Sequence, residues 1–576
     1  MRTRIRGGRV IDPARGIDAI GDVLIDGDRI VSETAIPGSS ETAVSGVTRT
    51  AAKGARHPAA STRKERVIDA AGCVVMAGGI DLHTHIGGGK VTLARLLLGD
   101  QFRPSEPQET EWLPAAAVAG RRYLEMGYTT CFEPAVIPSN ARSAHAEMAD
   151  VTGIDTGGYC LLGNDELLLR MIAERVPQAR INDYVAWMVR ATQAIAVKVV
   201  NPGGISAFKF NGRHLDVDTP HPEYGVTPGA VIRTLCRAVH EIGLVHPPHV
   251  HCSNLGIPGN IESTLATIRA ADGLPIHLTH VQFHAYGSEG PYGMSSAAPR
   301  LADALARSPN VTVDVGQVMF GQTVTISADT MHQFANVRHA RPRKSVLLDI
   351  ECEAGCGVVP FRYRRRQFVH SLQWAIGLEL FLLIDDPRRV FLTTDHPNGG
   401  PFTTYPHLIR LLGDRAFRET ALAEIHPEAA AASQLGGIDR EYDLNELAAM
   451  TRAAPAAILG LSDRGTLRPG AIADVVVYRQ AADLERMFAA PEYVVRRGHV
   501  VRSPGQAGLD REALGRVRTA TQVADVPIDF GVHAAFSRRF EEASSFSMRQ
   551  LWIGDDEFTA QVGGDLQRHA GRERSR

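Results

Sequence analysis

The chain of 576 residues is 44% hydrophobic and 22% charged, with a net charge of −2 and a pI near 6.9. Those values describe an ordinary globular chain able to bury a large core, and they argue against a nucleic-acid or membrane surface as its main partner. The seven cysteines fit no disulfide framework, "MRTRIRGGRVIDPARG" has no apolar signal core, and no run reaches the ~20 apolar residues of a membrane helix, so a cytoplasmic location is expected.

The first strands are expected in "TRIRGGRVIDP" and "GDVLIDGDRIV", where β-branched residues alternate between Gly, Asp and Pro. Residues 31–66, rich in Ser, Ala, Thr and Arg and without an aromatic, read as a flexible insertion. "ERVIDAAGCVVMAGG" resumes strand character, and "GTLRPGAIADVVVYR" and "EYVVRRGHVVRS" repeat that texture near the other end. Residues 1–76 and 461–503 are therefore expected to form one small β-sandwich domain built from both chain ends. Between them, residues 77–460 alternate strand-like runs with helical stretches such as "PAAAVAGRRYLEMG" and "GAVIRTLCRAVHEIG", each closing on a glycine stop. That alternation predicts α/β architecture with parallel strands. Residues 504–576 read as a C-terminal extension whose end, "QRHAGRERSR", is expected to fray.

Five strand-like runs in the central region end in metal-binding types. "VVMAGGIDLHTH" ends in His83 and His85, "AIAVKVVNPGG" carries Lys198, "PPHVHCSN" carries His249 and His251, "LPIHLTHVQF" carries His280, and "RVFLTTDHPN" carries Asp395. In a (β/α)8 barrel the active site lies at the C-terminal strand ends. The intervals of 115, 53, 29 and 115 residues from His83 through Lys198, His251 and His280 to Asp395 suit strands 1, 4, 5, 6 and 8 of such a barrel. A His-x-His pair on a strand points both rings the same way. A single buried histidine is more often a core residue, but five coincidences in barrel order make a site the better reading.

The chemistry needs these types. Neutral imidazoles suit zinc, and a carboxylate can complete the site and act as a base. Only six of the 62 basic residues are lysines, so one inside a β-branched run stands out. A buried lysine, its pKa lowered by desolvation, can add carbon dioxide and become a carbamate that bridges two metals. Two metals can then acidify a water for attack on a carbonyl. Lys209 in "AFKFNG" rivals Lys198, which is preferred for its unbroken β-branched run; His249 and His251 remain alternatives on residue type. "IGGGK" lacks the G-x4-G-K-[ST] spacing of a phosphate loop and reads as a tight loop beside the metals, with Lys90 unassigned.

"GGIDLHTH", the last-strand aspartate and the flanking β segments resemble the amidohydrolase superfamily. The blocks "VKVVNPGG", "HLTHVQFHAYG", "VDVGQ", "GVVPFRY", "QWAIGLELFLLIDDP", "FLTTDHPNGGPFTTYPHLIR" and "IDREYDLNELAAMTRAAPAAILGL", within residues 67–500, resemble the A subunits of formylmethanofuran dehydrogenases. They resemble still more closely the alpha, or hydrolase, subunits of bacterial formyltransferase/hydrolase complexes. The resemblance implies a TIM-like (β/α)8 barrel. It also implies hydrolysis of an N-formyl amide on a furan-type one-carbon carrier, methanofuran or methylofuran, to formate and free amine. Partners would be a formyltransferase subunit together with further subunits of one complex.

The same resemblance implies a site of two divalent ions, zinc in this family, bridged by N6-carboxylated Lys198. His83 and His85 would hold one ion and His251 and His280 the other, with "HCSN" favouring His251 over His249. Asp395 would bind a metal and carry a proton from water to the leaving amine. Asn201, Asn254 and His284, just past the ligand strands, are candidates to orient the formyl group, with loop hydrogen bonding the competing role. Arg362, Arg364, Arg365 and Arg366 in "FRYRRRQ" either guide an anionic carrier tail or form a solvated charge run. Two other readings stand beside this one: a dihydroorotase- or hydantoinase-like cyclic-amide hydrolase, and a catalytically inactive scaffold.

Overall fold

The structure, a computed structural model, describes residues 2–35, 65–98, 113–209, 215–290, 292–327, 338, 341, 348–349, 357–543, 551–562 and 565–571. Most of the expected insertion, residues 36–64, lies outside the described residues, as do two of the seven cysteines, Cys352 and Cys356.

The central region folds as the alternation predicts. Eight parallel strands run in chain order: Gly79–Asp81, Tyr128–Val136, Asp155–Leu161, Ala196–Val200, His249–His251, Ile276–Leu278, Val311–Asp314 and Val390–Phe391. The last meets the first through a parallel bridge between Thr84 and His396, where the His85 amide donates to the His396 carbonyl at 2.8 Å. The strands are short and buried on both faces, which is why they read as apolar runs rather than alternating patterns.

The helices between them carry their own stop signals. Over Pro228–Ile242, Thr227 accepts from the Ala230 amide, Pro228 fills the first turn, and Gly243 ends the helix at φ 87°. Phe368–Leu383, "FVHSLQWAIGLELFLL", is buried on nearly every side, as a helix apolar all round must be. No helix among the described residues is long and apolar enough to cross a membrane.

The strands from the two chain ends hydrogen bond into one eight-stranded mixed sheet. Its order is His499–Arg502, Tyr493–Arg496, Val475–Arg479, Cys73–Ala77, Arg2–Asp12, Ile17–Asp26 and Arg29–Ala35, with Glu65–Asp69 also paired to Arg2–Asp12. Alternation along its central strands serves two cores at once. Val75, Val475 and Val477 pack with Ile5, Val23 and Ile25 inside the sheet's own cluster. Val74, Met76, Val476 and Tyr478 point the other way and join the barrel's core.

Two expectations are corrected. Residues 31–35 and 65–66 belong to strands, so the insertion is shorter at both ends than 31–66; Val23 pairs with Glu33, and Arg2 with Glu65, to supply the ladder. The C-terminal extension does not simply fray. Ala520–Asp525 adds to the barrel sheet beside Asp155–Leu161, and Asp565–Ala570, which takes in the first four residues of "QRHAGRERSR", adds beside it in parallel. Strand neighbours so distant in sequence leave no local signal, and an edge strand tolerates the polar residues that suggested fraying.

One buried charge ties these parts together. Asp155, at the start of the third barrel strand, has no solvent exposure. It meets Arg464 at 2.7 Å, Arg496 at 2.7 Å and Arg497 at 3.0 Å, and accepts from the Ala520 amide at 2.8 Å. Arg496 also pairs with Asp474 at 2.6 Å, and Arg464 donates to Gln567 Oε1 at 2.7 Å. Barrel, end sheet and tail strands therefore converge on one carboxylate. Burial by itself would push its pKa up, but the guanidinium groups of Arg496, Arg464 and Arg497 hold it well below the usual carboxylate range.

Asp155→Asn removes the carboxylate that these three arginines share and is expected to cost about 3–5 kcal/mol in urea unfolding at pH 7. Because the folded pKa is depressed, the wild-type advantage is complete above the unfolded value of about 3.9 and is lost as pH falls through the folded one. The gap between the two proteins should therefore narrow only in acid; a gap constant from pH 7 to the acid limb contradicts the assignment.

Candidate metal centre

Each of the six sequence-derived candidate ligands lies in or just past its barrel strand. His83 and His85 follow the first strand, Lys198 lies within the fourth, and His251 ends the fifth. His280 and Asp395 follow the sixth and eighth. All are buried, from 1% exposure at His83 to 6% at His85 and His251.

Three of these side chains meet in one group and two in a neighbouring one. His83, His280 and Asp395 bring ligand atoms within 4.8 Å of one another, and so do His251, His280 and His284. His280 belongs to both. His83 Nε2 lies 3.0 Å from Asp395 Oδ1, and His85 Nε2 lies 3.5 Å from the same oxygen. The His280 ring stands edge-on to His251 at 4.5 Å between centroids and stacks on His284 at 5.3 Å.

The backbone aims these groups. Asn201, Asn254, His280 and Asp395 all adopt left-handed conformations, with φ of 40°, 63°, 38° and 51°. Such residues carry strain outside glycine and gather at functional sites. At Gly316 (φ 64°), an added Cβ would lie 2.3 Å from that of His280, so the glycine makes room for that histidine.

What holds the His-x-His pair was not assigned from sequence. His85 Nδ1 faces Glu133 Oε1 at 2.7 Å, and the other oxygen of Glu133 accepts from the Ile86 amide at 3.0 Å and the Gly87 amide at 3.3 Å. His83 Nδ1 lies 3.1 Å from Asp314 Oδ2, with Thr279 Oγ1 at 2.7 Å and His249 Nε2 at 2.9 Å. Each imidazole thus presents Nδ1 to a buried carboxylate and Nε2 to Asp395. That is the arrangement in which a carboxylate fixes the tautomer and orientation of a metal-binding histidine. Asp81, in "GGIDLHTH", adds a further hold: it accepts from Tyr123 at 2.7 Å, from the His83 amide at 3.0 Å and from Tyr405, and burial raises its pKa to about 6.

The alternatives separate in space. In the ladder His249 pairs with Lys198 and His251 with Val200. His249 therefore sits one layer deeper, against His83 Nδ1 and His246, while His251 joins His280 and His284. His83, His249 and Asp314 form a third close group within that layer. Lys209 closes the short helix Gly204–Lys209 beyond the strand that carries Lys198. Among the orienting candidates, His284 adjoins the cluster, the Asn201 amide N–H donates to the His251 carbonyl at 3.0 Å, and Asn254 Nδ2 donates to Ser263 at 2.9 Å. Arg362 and Arg364 line a cavity of about 1000 Å³, and Arg365 pairs with Glu424.

The donor set fits divalent metal ions. His280 Nδ1 is buried with no hydrogen-bond partner among the described residues, an expensive state for a polar atom unless something binds it. Burial, with the neighbouring His251, keeps the His280 pKa well below its usual value, so the ring is the neutral form a metal needs. Burial would raise the Asp395 pKa, but His83 and His280 outweigh it and hold the carboxylate ionised.

The sequence profile of the amidohydrolase family matches residues 66–502. The A component of the formyltransferase/hydrolase complex Fhc of Methylorubrum extorquens is 44% identical over 572 residues, 98% of either chain. Protein FwdA of Methanocaldococcus jannaschii is 37% identical, covering 76% of this chain and 82% of its own. In the crystal structure of the Methylorubrum extorquens complex FhcABCD with methylofuran, one chain matches at a TM-score of 0.86 and 40% identity, with 99% of this chain and all of that one covered.

Glu133→Gln removes the charge behind His85 without removing the side chain. Metal affinity, read by chelator competition on folded protein, is expected to fall ~10–100-fold. Unchanged affinity would mean that Glu133 braces only the 86–87 backbone.

Proposed function

Because the chain belongs to the amidohydrolase family, whose members are metal-dependent hydrolases, we propose that it hydrolyses the formyl amide of a furan-type one-carbon carrier to formate and the free amine. It would do so as the hydrolase subunit of a formyltransferase/hydrolase complex. The observation that carries this reading is the end-to-end likeness to the A component of Fhc, at 44% identity over 98% of both chains. It is supported by the convergence of His83 and His85 Nε2 on Asp395.

In this reading His83 and His85 would hold one ion, His251 and His280 the other, and Lys198, carboxylated on Nζ, would supply a carbamate ligand between them. When bound, the two ions, zinc in our reading, would polarise the formyl carbonyl and acidify the attacking water. Asp395 accepts the water's proton on a carboxylate oxygen. Asn398 Nδ2 donates to both of its oxygens, at 3.2 and 3.1 Å, and keeps them facing the cluster. As the C–N bond breaks, Asp395 returns the proton to the departing nitrogen, leaving a neutral amine and formic acid, which gives up its remaining proton to solvent as formate. His284, beside both His251 and His280, is positioned to orient the formyl group. The enclosure of these groups, each under a tenth exposed, limits competing water.

The purified complex should release formate from formylated carrier and not open dihydroorotate or hydantoin; the reverse would identify a cyclic-amide hydrolase. A chain with fewer than one metal ion and no formate release would instead be a scaffold. Lys198→Ala is expected to lose at least ~100-fold of the formate-release rate together with bound metal, whereas Lys209→Ala should retain both. Full activity in Lys198→Ala with loss in Lys209→Ala would reverse the assignment.

A further inference from the structure

The inference rests on the two-metal reading above and concerns the seventh barrel strand. Val311–Asp314 supplies none of the proposed ligands, yet it ends in a carboxylate with no solvent exposure. Asp314 Oδ2 lies 3.1 Å from His83 Nδ1 and 3.0 Å from His277 Nε2, while Oδ1 accepts from the His280 amide at 2.6 Å. A carboxylate has about four acceptor positions, so one group can serve the first and sixth strands together.

We propose that Asp314 is a positioning residue that couples the two halves of the metal centre. One oxygen fixes the tautomer and tilt of His83, assigned to the first ion. The other grips the peptide of His280, assigned to the second, and helps hold it at φ 38° with its ring in the cluster. Its own position is braced by His277, whose Nδ1 meets Thr312 Oγ1 at 2.9 Å, while the close approach of Gly316 leaves room for His280. Without the carboxylate, His83 can turn its Nδ1 toward His249 or Thr279, and the His280 amide loses its acceptor. A rigid element touching one ligand would affect one ion; a group holding a ligand of each must affect both.

The same atoms admit a competing reading. His249 Nε2 lies 3.4 Å from Asp314 Oδ2, so His83, His249 and Asp314 could cage an ion of their own. The distances among them are already those of hydrogen bonds, which favours the positioning role.

The test uses the purified complex with wild-type, Asp314→Asn, Asp314→Glu and His277→Gln chains, each checked for assembly. Zinc per chain is measured against graded chelator, and kcat and KM with formylated carrier. Asp314→Asn should release both ions together at ~10–100-fold lower chelator, with kcat reduced and KM nearly unchanged. Asp314→Glu should recover part of the retention, and His277→Gln should show a smaller loss of the same paired kind. Retention of both ions as in wild type, or loss of only one, overturns the proposal; so does a third ion per wild-type chain that Asp314→Asn removes. If Asp314→Asn does not assemble, His277→Gln decides by the same readout, wild-type retention counting against the proposal. Metal retention is read without substrate, so absence of formate release from wild type would defeat the functional reading and leave this measurement standing.

Discussion

A buried imidazole can give one nitrogen to a metal only if its other nitrogen has a partner. In this barrel that requirement is met by acidic residues on strands that contribute no proposed ligand. Glu133 comes from the second strand to His85, and Asp314 from the seventh to His83. The first-strand pair is gripped from either side, and both Nε2 atoms turn toward Asp395. The short strands, the left-handed residues at their ends and the glycine beneath His280 all serve this convergence. Without the two carboxylates, the histidines of "DLHTH" could flip or rotate, and their spacing alone would not define a site.

The two ends of the barrel solve different electrostatic problems. At the strand C-termini, the neutral His280 ring, one of its nitrogens unpartnered among the described residues, and the ionised carboxylate of Asp395 make a donor set suited to cations. At the start of the third strand, charges are matched within the protein: Asp155 faces Arg464, Arg496 and Arg497. A buried charge left without compensation costs several kcal/mol, so this network commits the end sheet and the two tail strands to their places on the barrel. The tail is thereby part of the framework, although no proposed site residue lies in it.

The candidate site could be drawn from the sequence because its residues interrupt apolar runs. Lys198 in "AVKVV" and His251 in "HVH" stand out as polar side chains where burial is certain, and their intervals follow the βα repeat. The same logic applied to "YTTCFEPAV" and "VTVD" would have marked Glu133 and Asp314, each an acid inside a buried strand. The choice between His249 and His251 had no such signal. Both point into the barrel, and only the ladder reveals that one lies level with Lys198 and the other a layer above.

The sequence by itself determined the alternation that makes a parallel barrel, the glycine and threonine signals that bound its helices, and the set of candidate metal-binding side chains. These are local properties, set by periodicity, capping and residue chemistry within a few positions. Only the tertiary structure decided which carboxylate stands behind which imidazole, that residues 520–525 and 565–570 extend the barrel sheet, and that the chain ends share one sheet with two cores. His83 and Asp314 are 231 residues apart, and Arg464 and Asp155 are 309 apart. Contacts at such separation depend on register and on closure of the ring, which no stretch of sequence encodes alone.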